Sequence, residues 1–296
     1  MTTLELTTVD SGAGEPVALG RRRVLRRLLH NPLALTGLVV VVLAVLAALL
    51  ANLIAPFAPD HTDFGAALQP PSGAHWFGTD ELGRDQFSRV LFGLRVSLLV
   101  AVLAIAISLL VGVPLGLAAG FYRLVDRVVS RFADTLLAFP FLVFAVGLAA
   151  ILGPSLFTAT TAIGVAGIPA IIRVMRGETL RLRGLDFVSG AVADGASDLV
   201  LLRRHILPNA VSTLIVQATV AAPAAIIGEA VLSFLGLGIR PPAPSLGVML
   251  SAAQPLFREG PWLAVIPGVC ILVVTLSLNL LGDGLRDALD PRENVR

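Results

Sequence analysis

Six runs of apolar residues, at about 32–54, 96–119, 135–152, 155–172, 210–235 and 261–281, constrain this chain more than any other feature. The hydrocarbon core of a bilayer takes about 20 apolar residues in helix. Backbone in lipid must satisfy its own hydrogen bonds, so runs of this length read as membrane-spanning helices. Composition agrees, with 56% of residues hydrophobic and 14% charged, against about a quarter charged in soluble domains. The expected fold class is therefore all-α, a polytopic membrane protein with six transmembrane helices. The first run exceeds the about 7–15 apolar residues of a signal peptide and follows residues 1–31, so it reads as a retained anchor.

Arginine placement orients the spans, because cytoplasmic loops collect basic residues. With the N-terminus inside, seventeen arginines are cytoplasmic: 21–23, 26, 27, 123, 127, 131, 173, 176, 181, 183, 203, 204, 286, 292 and 296. Five are external: Arg84, Arg89, Arg95, Arg240 and Arg258. Both termini are thus expected in the cytoplasm. The layout that follows is a cytoplasmic tail at 1–30, the first span at 31–55, and an external loop with an interfacial helix at 56–95. A core at 96–284 holds spans 2–6 and short cytoplasmic helices at about 186–205, and residues 285–296 form a second cytoplasmic tail. In the external segment, Thr79 or Asp80 is the expected N-cap of a helix presenting Phe87, Val90, Leu91 and Leu94 on one face.

All 22 basic residues are arginine. Without lysine the chain can build neither a phosphate-binding P-loop nor a Schiff base, so nucleotide chemistry would require another subunit. Cys270 is the single cysteine and lies in an apolar run, which excludes an internal disulfide or thiolate cluster. His30, His61, His75 and His205 all lie outside the apolar runs. No metal site, no catalytic residue and no nucleic-acid partner is expected. A membrane enzyme would need a buried nucleophile, base or metal cluster, and the sequence offers none. The "SFLGLG" turn at 233–238 has no βαβ context, so it is no nucleotide fingerprint.

One stretch is unlike lipid-facing sequence: "DFVSGAVADGASDLVLLRRHILPNA" at 186–210. Asp186 is the expected N-cap of a short helix with Phe187, Val188, Ala191 and Val192 on one face. Gly195 suits the left-handed C-terminal cap. Ser197 is placed to cap a second short helix toward His205, and Pro208 to begin the next span. The small residues Ser189, Gly190, Ala191 and Ala193 permit close approach by another protein. An ordinary solvated loop with two helical turns fits the composition equally well.

The spacing resembles the cytoplasmic coupling motif of ATP-binding-cassette importer permeases, which has a Glu-Ala-Ala triplet, three further residues, a Gly and then Leu-Pro. Here the triplet positions hold Ser189, Gly190 and Ala191, and the later positions hold Gly195, Leu207 and Pro208. Ser189 cannot make the ion pair of the family's glutamate, and Asp186 or Asp194 is the candidate to offset that acid. "FGTDELGRDQFSRVLFGLRVSL" at 77–98, "EAVLSFLGLGIRPPAPSLG" at 229–247, "LNLLGDGLRDALDPR" at 278–292 and "NPLALTGLVV" at 31–40 resemble the dipeptide/oligopeptide/nickel branch of these permeases.

The resemblance implies a type I importer permease fold and a division of labour. A homologous permease subunit would complete the path. Two ATP-binding-cassette ATPase subunits would carry the ATP and Mg, with no cofactor on this chain. An extracytoplasmic binding protein would deliver peptides, or alternatively nickel or another small solute, across a bacterial inner membrane. The implied ATPase-coupling residues are Asp186, Phe187, Ser189, Gly190, Ala191, Asp194, Gly195, His205, Leu207 and Pro208. Asp80, Glu81, Arg84 and Asp85 are candidates for docking the binding protein, or else pair along one helix. Glu229, with Pro223 and Ser233 near it, either lines the path or gate or serves as a structural acceptor. An ion-coupled secondary transporter is the rival class, but one intramembrane acid and no evident internal repeat argue against it.

Overall fold

The computed structural model describes residues 26 and 28–289, so the expected tails lie largely outside the described residues. Its helices are α1 (Pro32–Leu49), α2 (Gln86–Phe121), α3 (Arg123–Ala138), α4 (Phe141–Leu152), α5 (Leu156–Arg183), α6 (Asp186–Ala193), α7 (Asp198–Phe234), α8 (Leu246–Ala253) and α9 (Trp262–Leu289). Among the described residues the one β pairing is a bridge between Thr79 and Asp85. Five of these helices, α1, α2, α5, α7 and α9, are long and apolar enough to cross a bilayer. The bent pair α3–α4 makes a sixth crossing when taken as one span.

Two elements differ from expectation. The helix placed along the outer interface is the first part of α2, which runs unbroken from Gln86 to Phe121. Nothing between the two parts breaks a helix. Gly93 instead lets the backbone of α8's N-terminus approach, since a Cβ there would lie 3.2 Å from Leu246 N. The cap is Asp85, which accepts from the Ser88 N–H at 2.8 Å, and neither Thr79 nor Asp80 does so. The third span is not straight: α3 and α4 meet at 87°. Pro140 holds Phe139 in extended backbone (φ −82°, ψ 125°), which ends α3.

The closest helix pairing is α2 with α5. Gly112, Gly116 and Gly120 recur every four residues on α2 and face α5. A Cβ on Gly116 would sit 2.7 Å from the Met175 Cβ, and one on Gly112 would sit 2.6 Å from the Ile171 Cβ. Small residues at this spacing let membrane helices touch along their backbones, where dispersion and packing replace the hydrophobic drive that lipid removes. Ser108 adds a hydrogen bond, its hydroxyl reaching Gly164 O at 2.6 Å. On the other side of the bundle, α1 packs on α9, and a second apolar cluster joins α1, α2, α7, α8 and α9 through Ala48, Leu94, Ile226, Met249 and Val274.

Candidate functional site

The polar interruption folds as a hinge-like knuckle between α5 and α7. α6 begins after Leu185, so Asp186 occupies the first helical position and Leu185 that of the N-cap. The Asp186 carboxylate still favours that end, where unpaired N–H groups carry partial positive charge. α6 closes with a Schellman turn: the Ala196 N–H donates to Ala191 O at 3.0 Å and the Gly195 N–H to Val192 O at 3.0 Å. Gly195 has φ +81°, a conformation that costs an L side chain about 1–2 kcal/mol. Ser197 precedes the next helix, but that helix does not stop at His205. It widens into a π-helical turn at Leu201–Ile206 and continues as α7. Pro208 explains the widening, because its ring would clash with the carbonyl four residues back and it has no N–H to give.

The knuckle has an anchored face and a free face. Val188 is buried, and Phe187 and Leu185 pack on a cluster of Met175, Leu182, Ile206 and Ala210. Phe187 also lies against the ring of His205, with centroids 6.5 Å apart, so the two arms of the turn meet. Val192, expected on the apolar face, is 55% exposed, and Leu199 is 62% exposed. Ser189, Gly190, Asp194 and Gly195 share the exposed surface, while Ala191 and Leu207 are half-buried and Pro208 is exposed.

The foot of α2 grips both arms. The Arg183 guanidinium donates to Phe121 O at 2.8 Å and lies over the Phe121 ring, and the Tyr122 hydroxyl donates to the Asp198 carboxylate at 3.0 Å. That bond pushes the Tyr122 phenol above its ordinary value. Two ion pairs, Arg176–Asp126 and Arg173–Asp134, tie α5 to α3, the latter at 2.8 Å. Sequence reasoning missed both, since their partners lie 50 and 39 residues apart.

Beyond the knuckle, α2, α4, α5 and α7 line a half-open cavity of about 730 Å³. Its walls include Ala104, Ile105, Phe141, Ile163, Ala221 and Val231, with Ser108 and Gln217 the polar side chains. Glu229, Pro223 and Ser233 are not among the lining residues. Glu229 is fully buried and accepts from Ser97 at 2.5 Å and from Ser233 at 2.7 Å, a structural arrangement that binds α2 to α7. Pro223 is buried within α7. Neither Gln217 nor Ser108 stood out in the sequence, because nothing in a uniformly apolar span marks which face meets a cavity.

On the external side the charged cluster turns inward. Asp80 accepts from the Leu82 and Arg84 N–H groups and from Arg84 Nε at 2.7 Å. Asp85 accepts from Ser88 and pairs with His75 at 2.9 Å. These contacts bury Asp80, Arg84 and Asp85 and leave Glu81 as the exposed member of the four. Gly83, at φ +71°, lets this turn pass against the backbone of Asp63. The cluster is the clasp that folds the external loop onto the head of α2.

Residues 112–295 match the family described as binding-protein-dependent transport system inner membrane component, and residues 21–71 match the N-terminal TM domain of oligopeptide transport permease C. The chain is 42% identical over 272 residues to a dipeptide transport system permease protein of Alkalihalophilus pseudofirmus, covering 92% of this chain and 90% of that one. It is 43% identical over 269 residues to a glutathione transport system permease protein of Escherichia coli, covering 90% and 89%. Its fold is similar to a chain of the MetNI methionine ABC transporter in inward-facing conformations. That match has a TM-score of 0.57 and 18% identity, and covers 68% of this chain and 97% of the other.

Proposed function

The chain belongs to the binding-protein-dependent transport system inner membrane components, and from that membership we propose that it forms, with a homologous permease, the membrane path of an ATP-driven peptide importer. Two ATPase subunits bind ATP and Mg beneath it, and an extracytoplasmic binding protein delivers substrate from above. This chain is the non-catalytic half of that machine: it supplies the path and the lever.

One observation carries the reading. The two helices that enter the knuckle, α5 and α7, are also walls of the cavity. A push on the exposed face of Ser189, Val192 and Asp194 therefore acts on the same rigid rods that enclose the path. The Schellman turn at Gly195 and the ring contact of Phe187 with His205 keep the knuckle from absorbing that push itself. Asp186 and Asp194 supply acid to the exposed surface where the family's glutamate is replaced by Ser189. Arg176–Asp126 and Arg173–Asp134 make α3 follow α5, and α3 ends at the Pro140 bend. Phe141 and Leu142, just past the bend, reach the cavity, so the same stroke moves its wall.

Peptide is the favoured cargo. Relatives named for dipeptide, peptide and glutathione transport are 42–43% identical to this chain over the aligned residues. Among the described residues the cavity wall also offers no imidazole, thiolate or carboxylate to a nickel ion.

The test is reconstitution of the chain with a partner permease, ATPases and binding protein from the same genome, measuring ATP hydrolysis with and without short peptides. Stimulation requiring both peptide and binding protein is the expected result. Assembly with active ATPases but no peptide response would move the substrate to nickel or another solute. Failure to assemble with any ATPase would overturn the reading.

A further inference from the structure

The cavity wall carries two polar side chains, and their circumstances differ. The Ser108 hydroxyl is committed to the protein, lying 2.6 Å from Gly164 O and 3.0 Å from Ala104 O. Gln217 is half-buried, faces the cavity, and forms no side-chain hydrogen bond with any described residue. Its near neighbour Thr219 shows the usual solution for a polar side chain in a membrane helix, with a hydroxyl bonded back to Ile215 O at 2.9 Å. Gln217 has no such bond, so a donor and an acceptor project together into an apolar space within the membrane.

The remaining wall narrows what those two groups can meet. Among the described residues no arginine, histidine, aspartate or glutamate lines the cavity, so its described wall offers no countercharge to a peptide terminus or a charged side chain. A primary amide complements extended main chain: its N–H donates to the carbonyl of a residue and its oxygen accepts from that same residue's N–H, which lies on the same edge of the chain. That pairing is independent of substrate side chains. A volume of about 730 Å³ lies within the range of about 300–1,000 Å³ typical of small-ligand sites.

We propose that Gln217 contacts substrate in the path, pairing its side-chain amide with the main chain of the passing peptide and so offsetting part of the desolvation that the apolar wall imposes. This rests on the reading of the chain as a peptide-path subunit. The surrounding Ala, Val and Ile side chains hold the peptide by shape alone, which suits a carrier whose selectivity belongs to its binding protein.

The experiment uses the full reconstituted complex and two probes: tri-alanine, and its analogue with an ester in place of the amide between its second and third residues. Uptake of each is measured for wild type and for Gln217→Leu, alongside stimulated ATP hydrolysis. Gln217→Leu should lower tri-alanine uptake about fivefold to tenfold, the usual scale for an unmade hydrogen bond. The preference of wild type for the amide over the ester should shrink in the variant, and the binding protein's own preference cancels in that ratio. Uptake by Gln217→Leu at the wild-type rate, or an unchanged amide-to-ester ratio, overturns the proposal alone. A wild-type complex that imports no peptide overturns it together with the peptide reading. Should Gln217→Leu fail to assemble, Gln217→Met is read in the same way. Failure of both to assemble would put Gln217 in a subunit interface and also overturn the proposal.

Discussion

Ser97 donates a hydrogen bond of 2.5 Å to the carboxylate of Glu229, joining α2 to α7 at a depth where Glu229 has no exposed surface. Ser233, one turn along α7, donates to the other oxygen at 2.7 Å, so both oxygens of the acid are held. An ionisable group in a span is usually a functional suspect because its insertion costs about 2.5–3.5 kcal/mol at the helix centre. Here the donors are local, and the acid works as a rivet. Ser97→Ala should lower stability by about 1–2 kcal/mol, near the upper end for interhelical bonds in membranes. Thermal unfolding of the solubilised protein should show a drop of a few degrees, with stimulated ATP hydrolysis retained. An unchanged melting temperature together with lost transport would make Glu229 a path residue instead.

Gly116 sets the distance between α2 and α5. A methyl group there meets the Met175 Cβ at 2.7 Å and Ile172 O at 2.8 Å, and one of these is backbone that cannot rotate away. Gly116→Ala should cost about 1–3 kcal/mol by overpacking, and Gly116→Val more. Gly147→Ala is the control, since a Cβ there has nothing within 4 Å. Equal melting temperatures for the Gly116→Ala and Gly147→Ala variants would refute the close contact.

In the proposed importer the exposed apolar residues of the knuckle are where the ATPase subunits dock. Val192 and Leu199 are more than half exposed, so an aspartate at either position leaves the fold of this chain intact. Val192→Asp and Leu199→Asp should each abolish co-purification with the ATPase subunits while the melting temperature of the permease stays within a degree or so, as expected for surface changes away from buried contacts. Ser189→Ala should leave assembly unaltered. Gly195→Val, by contrast, strains the left-handed cap and should uncouple hydrolysis from uptake without abolishing assembly.

The Arg176–Asp126 pair is a bidentate contact whose side chains are 37% and 28% exposed. Solvent screens it, so its contribution to stability is expected to be about 1 kcal/mol or less. Its consequence should appear in coupling, because it makes α3 move with α5. Asp126→Arg is expected to reduce uptake per ATP hydrolysed. The charge-reversed pair Asp126→Arg with Arg176→Asp should recover most of it, and absence of that recovery would count against the tether.

Much of this protein was legible in one dimension. Span length and the knuckle's position depend on local composition and turn chemistry, and each leaves a signature within a few residues. Gly195 is an example: helical spacing before it and a polar break after it required a left-handed cap, and φ +81° is what the structure has. The bend at Pro140 was also written locally, as an X-Pro step inside an apolar run, although the run's length concealed it.

What only the tertiary structure decided is which face of each helix meets which neighbour. A soluble helix advertises its buried face by amphipathic periodicity, but a spanning helix is apolar all round, so that signal is weak. Hence Glu229 reads equally as a path residue or a structural acceptor in one dimension, and its partner Ser97, 132 positions away, is visible only in the fold. Asp80, Glu81, Arg84 and Asp85 read as a docking surface or as charges paired along a helix, and the fold buries three of the four at the head of α2. Gln217, inconspicuous among the residues of its span, gains its meaning from three other helices that leave an opening beside it. Sequence determined that the chain carries membrane-spanning helices and where the polar interruption falls between them. Packing between distant helices decided which polar atoms are rivets and which remain free to touch what passes through.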